Sequence, residues 1–257
     1  MKIQFIGVGP QSADSGQYQS NMVVTSRTGK RLLIDCGGDA RFALAESGIK
    51  ATDIDAVYIS HLHGDHIGGM EWLAFSTYFR VESKRPLLFG EKRLLNRLWN
   101  NSLQGGLECI RLKRMALADY FDCQPLAVAT PFYWEEIRFE MVKMLHIAGA
   151  HRNLYSYGLL MRSDKPDGES IFISTDAVFQ PELLLECAAK ADLIFHDCET
   201  SPYKTGVHAH YEQLCTLPAA IRQKIWLYHY QANPGYQPHA DGFRGFVIKG
   251  QEFSFKD

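Results

Sequence analysis

Short apolar runs separated by turn residues dominate the first part of the chain. β-like runs cover residues 3–8, 21–26 and 31–35, and Thr28-Gly29-Lys30 stands between the last two. Apolar runs of this length bounded by turn residues are typical of β-strands, and a short segment containing glycine between two of them is typical of a hairpin. The pattern predicts an antiparallel sheet at the N-terminus.

Helical spacing first appears after Asp39. Apolar side chains then recur at a helical period until Gly48, which predicts a capped helix over 40–47. Further strand-like runs lie at 55–60, 86–89, 137–145, 157–161, 171–174, 193–196 and 225–228, and helix-like runs lie near 69–80, 91–100, 181–189 and 210–216. This alternation predicts mixed sheets covered by helices.

The composition is that of an ordinary globular protein. The 257 residues are 46% hydrophobic and 22% charged, with a net charge of −2. No apolar run approaches the ~18 residues of a membrane span, and the N-terminus does not resemble a signal peptide, so we expect a cytoplasmic protein. No linker or repeat divides the sequence, and we expect a single domain over 1–257.

Charge and cysteine content narrow the expected partners. The nearly balanced charge disfavours a long nucleic acid held through its phosphates, although a local basic patch would leave that partner open. The six cysteines form no CxxC pair, which is typical of reduced thiols in a cytosolic protein.

Four possible metal ligands follow the strand-like run 55–60 within six residues: His61, His63, Asp65 and His66. Imidazole nitrogens and carboxylate oxygens suit zinc and similar divalent ions. A polar surface loop is the alternative. Clustered imidazoles repel one another when they are protonated, however, whereas neutral imidazoles can bind a metal ion together.

This HxHxDH motif after an apolar strand resembles the signature of the metallo-β-lactamase fold superfamily. The resemblance implies an α/β fold, a four-layer αββα sandwich of two mixed sheets flanked by helices. It also implies two metal sites, with His61 and His63 on the first metal and Asp65 and His66 on the second. The superfamily includes hydrolases of several classes and redox proteins, so the fold alone does not choose the reaction.

The third ligand of the first metal is expected at the end of a later strand. His146 directly follows the alternating run 139–145 and is favoured for that reason. His151, five residues further on, is closer to Ser156-Tyr157-Gly158, which resembles a family motif, and it remains the alternative.

Three further residues take roles from the resemblance. Asp176 resembles the aspartate that bridges the two metals, and His229 resembles the last ligand of the second metal. Asp35 resembles a buried carboxylate that orients the ligand loop. A turn-capping Asp176, a structural His229 and a hairpin-end Asp35 are the alternatives.

Several segments resemble the ribonuclease Z-like phosphodiesterase branch: residues 5–10, 20–21, 33–37 and 66–69. That branch implies a histidine that protonates the leaving oxygen, a contribution of roughly 10²–10⁴ in rate. His208 matches it best and His210 less well. His196 and Asp197 are expected to end a strand and to support the site from behind.

Ribonuclease Z enzymes carry a long arm that grips transfer RNA, in many members between the third ligand histidine and the bridging aspartate. Here His146 and Asp176 are separated by only 30 positions, most of them strand-like. The extra length lies at 70–135, where aromatic-rich helical pieces are expected to wall a small pocket, form a dimer contact or simply pack. A small phosphodiester therefore suits the sequence better than a folded RNA.

The nearest resemblance is to cyclic nucleotide phosphodiesterases of the metallo-β-lactamase fold, including the anti-Pycsar enzymes of phages. It is carried by the segments 102–108, 155–160 and 195–200. The resemblance implies a homodimer, location in the host cytoplasm if the protein is viral, and two divalent metals, with zinc expected and manganese as the alternative.

The leading hypothesis is hydrolysis of a 3′,5′-cyclic nucleotide to a linear nucleoside monophosphate, which would degrade an immune or second-messenger signal. Asp65, through the metals, and His208, as the acid, are the expected catalytic residues. The alternatives are transfer-RNA 3′-end processing, thioester or lactone hydrolysis, and a non-catalytic protein that only binds a ligand.

Overall fold

The computed structural model describes residues 1–14, 16–80, 84–128, 130–165, 167–232 and 234–256. Residues 81–83 and 129 of the long 70–135 segment therefore lie outside the described residues. In the described part of the chain, no helix has the length and apolarity needed to cross a membrane.

The described residues of the first half of the chain form eight strands and six α-helices. The strands are β1 (Lys2–Phe5), β2 (Met22–Thr25), β3 (Arg31–Ile34), β4 (Ala56–Tyr58), β5 (Leu87–Glu91), β6 (Cys109–Ile110), β7 (Lys113–Arg114) and β8 (Asp122–Leu126). The helices are α1 (Ala40–Glu46), α2 (Gly64–Ile67), α3 (Met70–Tyr78), α4 (Lys92–Leu98), α5 (Gln104–Leu107) and α6 (Leu117–Tyr120). A 3₁₀ turn occupies Ala51–Asp53 and a π-helical turn Trp99–Leu103.

The second half supplies the other strands and helices. The strands are β9 (Phe132–Trp134), β10 (Ile137–Ile147), β11 (Leu154–Ser163), β12 (Ser170–Ile173), β13 (Leu193–Asp197), β14 (Ile225–Tyr228), β15 (Gly245–Phe246) and β16 (Glu252–Ser254). The helices are α7 (Pro181–Lys190), α8 (Tyr211–Leu214) and α9 (Ala219–Arg222).

Two seven-stranded mixed sheets form the centre of the molecule. The first has the order β16-β1-β2-β3-β4-β5-β8, and the second has the order β15-β14-β13-β12-β11-β10-β9. The predicted N-terminal antiparallel sheet is present in β1, β2 and β3, but β4, β5 and β8 extend it as parallel strands. β6 and β7 form a separate small hairpin.

Side chains alternate between the two faces of each sheet, as the strand period of two requires. In β3, Leu32 and Ile34 pack between the two sheets, whereas Leu33 packs against the helices outside the first sheet. Phe172 of β12 likewise packs outward, in the cluster that contains Leu184 of α7. The layers are thus helices, sheet, sheet and helices, which confirms the predicted αββα sandwich.

The strand ends explain where the ligands lie. β3 and β4 are parallel, as are β12, β13 and β14, so their carboxyl ends reach a common edge of each sheet. Three residues just beyond these ends have left-handed backbones, namely Asp35 (φ 61°), Thr175 (φ 53°) and His229 (φ 64°). Such conformations are uncommon for residues other than glycine and cluster at functional sites.

Candidate metal centre

One group of ligand atoms brings together the loop after β4, β10 and the turn after β12. His61, His63, His146 and Asp176 each contribute an atom, and all of these atoms lie within 4.8 Å of one another. His63 Nδ1 lies 3.2 Å from His61 Nε2 and 3.0 Å from His146 Nε2. Asp176 Oδ2 lies 3.6 Å from His61 Nε2.

A second group shares the Asp176 carboxylate. Asp65, His66, Asp176 and His229 also contribute atoms within 4.8 Å of one another, and all four residues are buried. Asp176 Oδ2 lies 3.3 Å from His66 Nε2 and 3.5 Å from His229 Nε2. The seven residues singled out in the sequence therefore meet around one carboxylate. His151 lies outside both groups, exposed between β10 and β11.

The donor set fits divalent metal ions. His66 Nε2 and Asp176 Oδ1 are buried and have no hydrogen-bond partner among the residues that the structure describes. A buried polar atom without a partner costs about 1–3 kcal/mol, so we expect a bound ligand to contact these two atoms. Clustered imidazole nitrogens and carboxylate oxygens match the preferences of zinc and related cations.

A hydrogen-bond network around Asp35 orients the imidazole rings of His61 and His66. Asp35 accepts from the Ser60 N–H at 2.8 Å, from Ser60 Oγ at 2.7 Å and from His66 Nδ1 at 2.7 Å. Because the Ser60 hydroxyl donates to Asp35, it accepts from His61 Nδ1 at 3.0 Å. Both imidazoles are thereby left with Nε2 as the free nitrogen that faces the cluster.

Hydrogen bonds give His146 and His229 the same tautomer, with the proton on Nδ1. His146 Nδ1 donates to the Val207 carbonyl at 2.8 Å. Ser20 Oγ donates to the Gly9 carbonyl at 3.0 Å and therefore accepts from His229 Nδ1, also at 3.0 Å. Each Nε2 is left unprotonated toward the cluster, as a metal ligand must be.

The ligands also perturb one another's protonation. Burial lowers the pKa of His61 well below its ordinary value, and the charge of neighbouring His66 adds to this effect. Burial disfavours the ionised form of Asp176, but the facing His229 and His66 outweigh it and hold the pKa of Asp176 well below its usual range. Burial opposes the charge of His66 as well, but the carboxylates of Asp176, Asp35 and Asp65 outweigh it and hold the pKa of His66 well above its ordinary value. The centre therefore places a neutral His61 and a charged His66 beside an ionised Asp176.

A histidine and aspartate pair stands beside the second group. His208 Nδ1 lies 2.7 Å from Asp197 Oδ2 and 4.0 Å from Asp176 Oδ2. Burial alone would lower the pKa of His208, but the Asp197 carboxylate outweighs it and raises the pKa to about 9. With a side chain that is 17% exposed, His208 stays protonated at neutral pH and reachable from solvent.

Two other histidines near this pair have structural contacts. His196 is buried, and its Nδ1 lies 2.6 Å from the Asp197 carbonyl oxygen, away from both ligand groups. His210 caps α8 by accepting from the Glu212 N–H at 3.3 Å, while its Nε2 donates to the Ser201 carbonyl at 3.0 Å.

A cavity of about 370 Å³ opens onto the ligands. Its lining includes His63, Asp176 and His208 together with Gln11 and Ser12 of the loop after β1. A larger groove of about 920 Å³ is lined by Lys30, Asp55 and Pro86, which precede β3, β4 and β5. That groove lies at the opposite edge of the first sheet, so the smaller cavity, and not this groove, contacts the ligand groups.

A family model described as "Anti-Pycsar protein Apyc1" matches residues 1–253. The chain belongs to the anti-Pycsar Apyc1 family. Anti-Pycsar protein Apyc1 of Paenibacillus xerothermodurans is 35% identical over 260 residues, covering 100% of this chain and 98% of the relative. Anti-Pycsar protein Apyc1 of Bacillus phage vB_BveM-Goe7 is 33% identical over 261 residues, covering 98% and 97%.

The fold comparison agrees with the family. The crystal structure of the metallo-β-lactamase fold protein YhfI from Bacillus subtilis superposes with a TM-score of 0.72 and 16% identity, covering 98% of each chain. The metallo-β-lactamase fold expected from the HxHxDH motif is therefore confirmed for this Apyc1 family member.

Gln11 and Ser12 line the cavity of this Apyc1 family member but were not predicted from the sequence. Gln11 lies in an exposed loop and belongs to no recognisable motif. Asp197 was expected only to support the site, and its contact with His208 needed the fold, because the two residues are 11 positions apart on separate segments.

Proposed function

We propose that this protein is a metal-dependent phosphodiesterase that hydrolyses 3′,5′-cyclic nucleotides to linear nucleoside monophosphates. The observation that carries the proposal is the placement of two ligand groups around Asp176, with His208 beside them, in one cavity. The cavity volume of about 370 Å³ is near the lower end of small-molecule sites, about 300–1,000 Å³, and suits a mononucleotide. The relatives' description as anti-Pycsar proteins supports degradation of a cyclic nucleotide signal.

The two ligand groups support a proposal for how two metal ions would be held. His61, His63 and His146 would hold one divalent ion, Asp65, His66 and His229 the other, and Asp176 would contact both; we propose zinc, with manganese as the alternative. When bound, such a pair supplies Lewis acidity that activates water and stabilises the charge developing on a phosphoryl group. Asp35 contributes by fixing the ring of His66.

His208 supplies the proton that the leaving oxygen needs. Asp197 holds its Nδ1, so Nε2–H is the proton available to the substrate. An alkoxide is a poor leaving group, and protonation by a positioned acid contributes roughly 10²–10⁴ in rate. The cleavage would free one ribose hydroxyl and leave the phosphate on the other.

The short connections of the second sheet favour a small substrate. The chain between β10 and β11 covers only 148–153, and that between β11 and β12 only 164–169. Neither connection has the length of an arm that could grip a transfer RNA. We therefore favour the cyclic nucleotide over transfer-RNA processing.

The sequence also predicts the domain organisation, location and oligomeric state of the protein. We propose that residues 1–257 act as one domain, in the cytoplasm, as a homodimer whose partner helps to cover the site. The dimer rests on the resemblance alone, and the mass of the protein in solution by light scattering tests it. A monomer that retains full activity would contradict a covering role for the partner.

The proposed reaction is tested by changing the leaving group. His208→Ala should lower the turnover of a cyclic nucleotide by about 10²–10⁴, because its alkoxide must be protonated. The same variant should hydrolyse bis(p-nitrophenyl) phosphate at nearly the rate of the unmodified protein, because p-nitrophenolate leaves without a proton. His210→Ala is the matched control and should change neither rate strongly. Equal losses on both substrates would contradict the role of His208.

A further inference from the structure

Gln11 lies on a turn that two hydrogen bonds stabilise at the mouth of the cavity. The Ala13 N–H donates to the Pro10 carbonyl at 2.9 Å and closes the turn. Gln19 Nε2 donates to the Gln11 carbonyl at 3.3 Å, and the Gln19 N–H donates to Asp39 Oδ2 at 2.8 Å. The backbone of Gln11 is therefore fixed although its side chain is exposed.

The side-chain amide of Gln11 has a determined orientation. The Asp65 N–H donates to Gln11 Oε1 at 3.0 Å. A backbone N–H needs an acceptor, so the amide oxygen must face Asp65 and the amide nitrogen must face away from it. Among the residues that the structure describes, Nε2 has no hydrogen-bond acceptor, so its two N–H groups remain available.

The amide lies directly against the metal-ligand loop. A Cβ built on Gly64 would stand 3.6 Å from Gln11 Oε1 and 3.7 Å from Nε2, so only a glycine hydrogen separates the amide from the loop. Gln11 lines the same cavity as His63, Asp176 and His208. Gln11 thus places an exposed, neutral donor on the lining of the cavity in which the substrate's phosphoryl group would lie.

We propose that Gln11 Nε2 donates a hydrogen bond to a non-bridging phosphoryl oxygen of the substrate. This inference rests on the proposed phosphodiesterase function and adds a substrate-binding residue to it. The same amide holds the backbone of Asp65, so it connects the position of a metal ligand to the position of the substrate. Gln11 thus contributes affinity for the phosphodiester without contributing charge.

Two variants separate the two roles of the Gln11 amide, which are donation to the substrate and acceptance from the Asp65 N–H. Gln11→Glu keeps an oxygen for the Asp65 N–H and removes the donor, whereas Gln11→Met removes both without adding charge. Gln223→Glu is the matched control, because Gln223 is exposed just before β14, at the end of that strand remote from His229. Each protein is assayed for metal content, for binding of inorganic phosphate by calorimetry, and for KM and kcat on bis(p-nitrophenyl) phosphate.

We expect both Gln11 variants to bind phosphate at least about tenfold more weakly, which corresponds to about 1.4 kcal/mol. KM should rise by a similar factor and by more than kcat falls, while Gln11→Glu keeps its metal and Gln223→Glu changes nothing. Wild-type phosphate affinity in either Gln11 variant with full metal content would overturn the proposal. Loss of metal from both variants would also overturn it, because Gln11 would then act on the ligand loop alone.

The outcome is distinguishable from a failure of the proposed function. If the unmodified, metal-loaded protein binds phosphate through Gln11 but hydrolyses no phosphodiester, the phosphodiesterase proposal fails while the donor role of Gln11 stands. If the unmodified protein hydrolyses phosphodiesters and the Gln11 variants behave like it, only the inference about Gln11 fails.

Discussion

His208 Nδ1 lies 2.7 Å from Asp197 Oδ2, and the same carboxylate oxygen accepts the Ala177 N–H at 2.9 Å. Ala177 directly follows Asp176, which both ligand groups share. One buried carboxylate therefore fixes the proposed acid and the turn that carries the shared ligand. This coupling makes the distance between His208 and Asp176 a property of the fold rather than of a mobile side chain.

The first prediction concerns the pH dependence of Asp197→Asn. Because the Asp197 carboxylate raises the pKa of His208 to about 9, His208 holds its proton below that pH and loses it above. Activity on a cyclic nucleotide should fall as the pH rises through the pKa of His208. Asparagine carries no charge, so the variant should show this fall at lower pH. Identical profiles of kcat/KM against pH for the two proteins would contradict the assignment.

The second prediction concerns the shared carboxylate. Asp176→Ala should abolish activity and reduce the bound metal below two ions per chain, because both ligand groups lose an oxygen. The variant should still fold, since the residue lies at the sheet edge and not among the apolar core. Far-ultraviolet circular dichroism and elemental analysis report the two properties separately.

Metal addition provides the control for that variant. A ligand at a hundredfold excess over its Kd stabilises the folded protein by about 2.7 kcal/mol. The unmodified protein should gain a higher Tm when metal is returned after chelation, and Asp176→Ala should gain much less. An equal gain in both proteins would remove Asp176 from the metal site.

The third prediction concerns the carboxylate behind the ligands. Asp35→Asn keeps the shape of the side chain but weakens its hold on His66 Nδ1 and on Ser60. Loss of such a partner commonly costs 10–100-fold in metal affinity or activity. Competition with a chelator of known affinity measures the change. Asp53→Asn, in a half-buried 3₁₀ turn remote from the ligands, is the control and should bind metal normally.

The fourth prediction decides between two candidate ligands. His146→Ala should lose metal and most activity, because His146 Nε2 lies among the ligand atoms of the first group. His151→Ala should keep its full metal content, since His151 is exposed in the connection after β10. Metal loss from His151→Ala alone would mean that the connection folds back onto the site.

The strand-end pattern of the sequence made most of the site predictable. Asp176 and His229 follow apolar runs that become β12 and β14, and the carboxyl ends of parallel strands meet at one edge of a sheet. The superfamily resemblance therefore named these two residues, and the strand pattern placed both at a strand end. The helix expected at 40–47 appears as Ala40–Glu46 because its apolar period is local, but the expected cap is missing, since the Asp39 side chain accepts the Gln19 N–H instead of capping the helix.

Other features depend on contacts that no local pattern encodes. His146 was expected beyond its strand, but β10 continues to Ile147 and pairs irregularly with β11 between Leu145 and Ile147. Such a bulge re-aims a side chain toward a site, and nothing in the run 137–145 signals it. The left-handed backbones at Asp35 and Thr175 are equally hidden, because neither residue type requires that conformation.

The shortest strands also escaped prediction. β6, β7 and β15 have two residues each, which is too short for a period of two to be visible. The helix expected at 91–100 divides into α4 and a π-helical turn, because the hydrogen-bond pattern changes at Trp99 without a change in the apolar spacing. Tertiary packing determines where these short elements form.

The most direct test of the central claim is to incubate the metal-loaded protein with a panel of 3′,5′-cyclic mononucleotides and, in parallel, with a precursor transfer RNA. Chromatography separates the products, and Asp176→Ala serves as the inactive control. We expect the protein to convert one or more cyclic nucleotides to linear monophosphates and to leave the RNA intact. Trimmed RNA together with untouched cyclic nucleotides would contradict it.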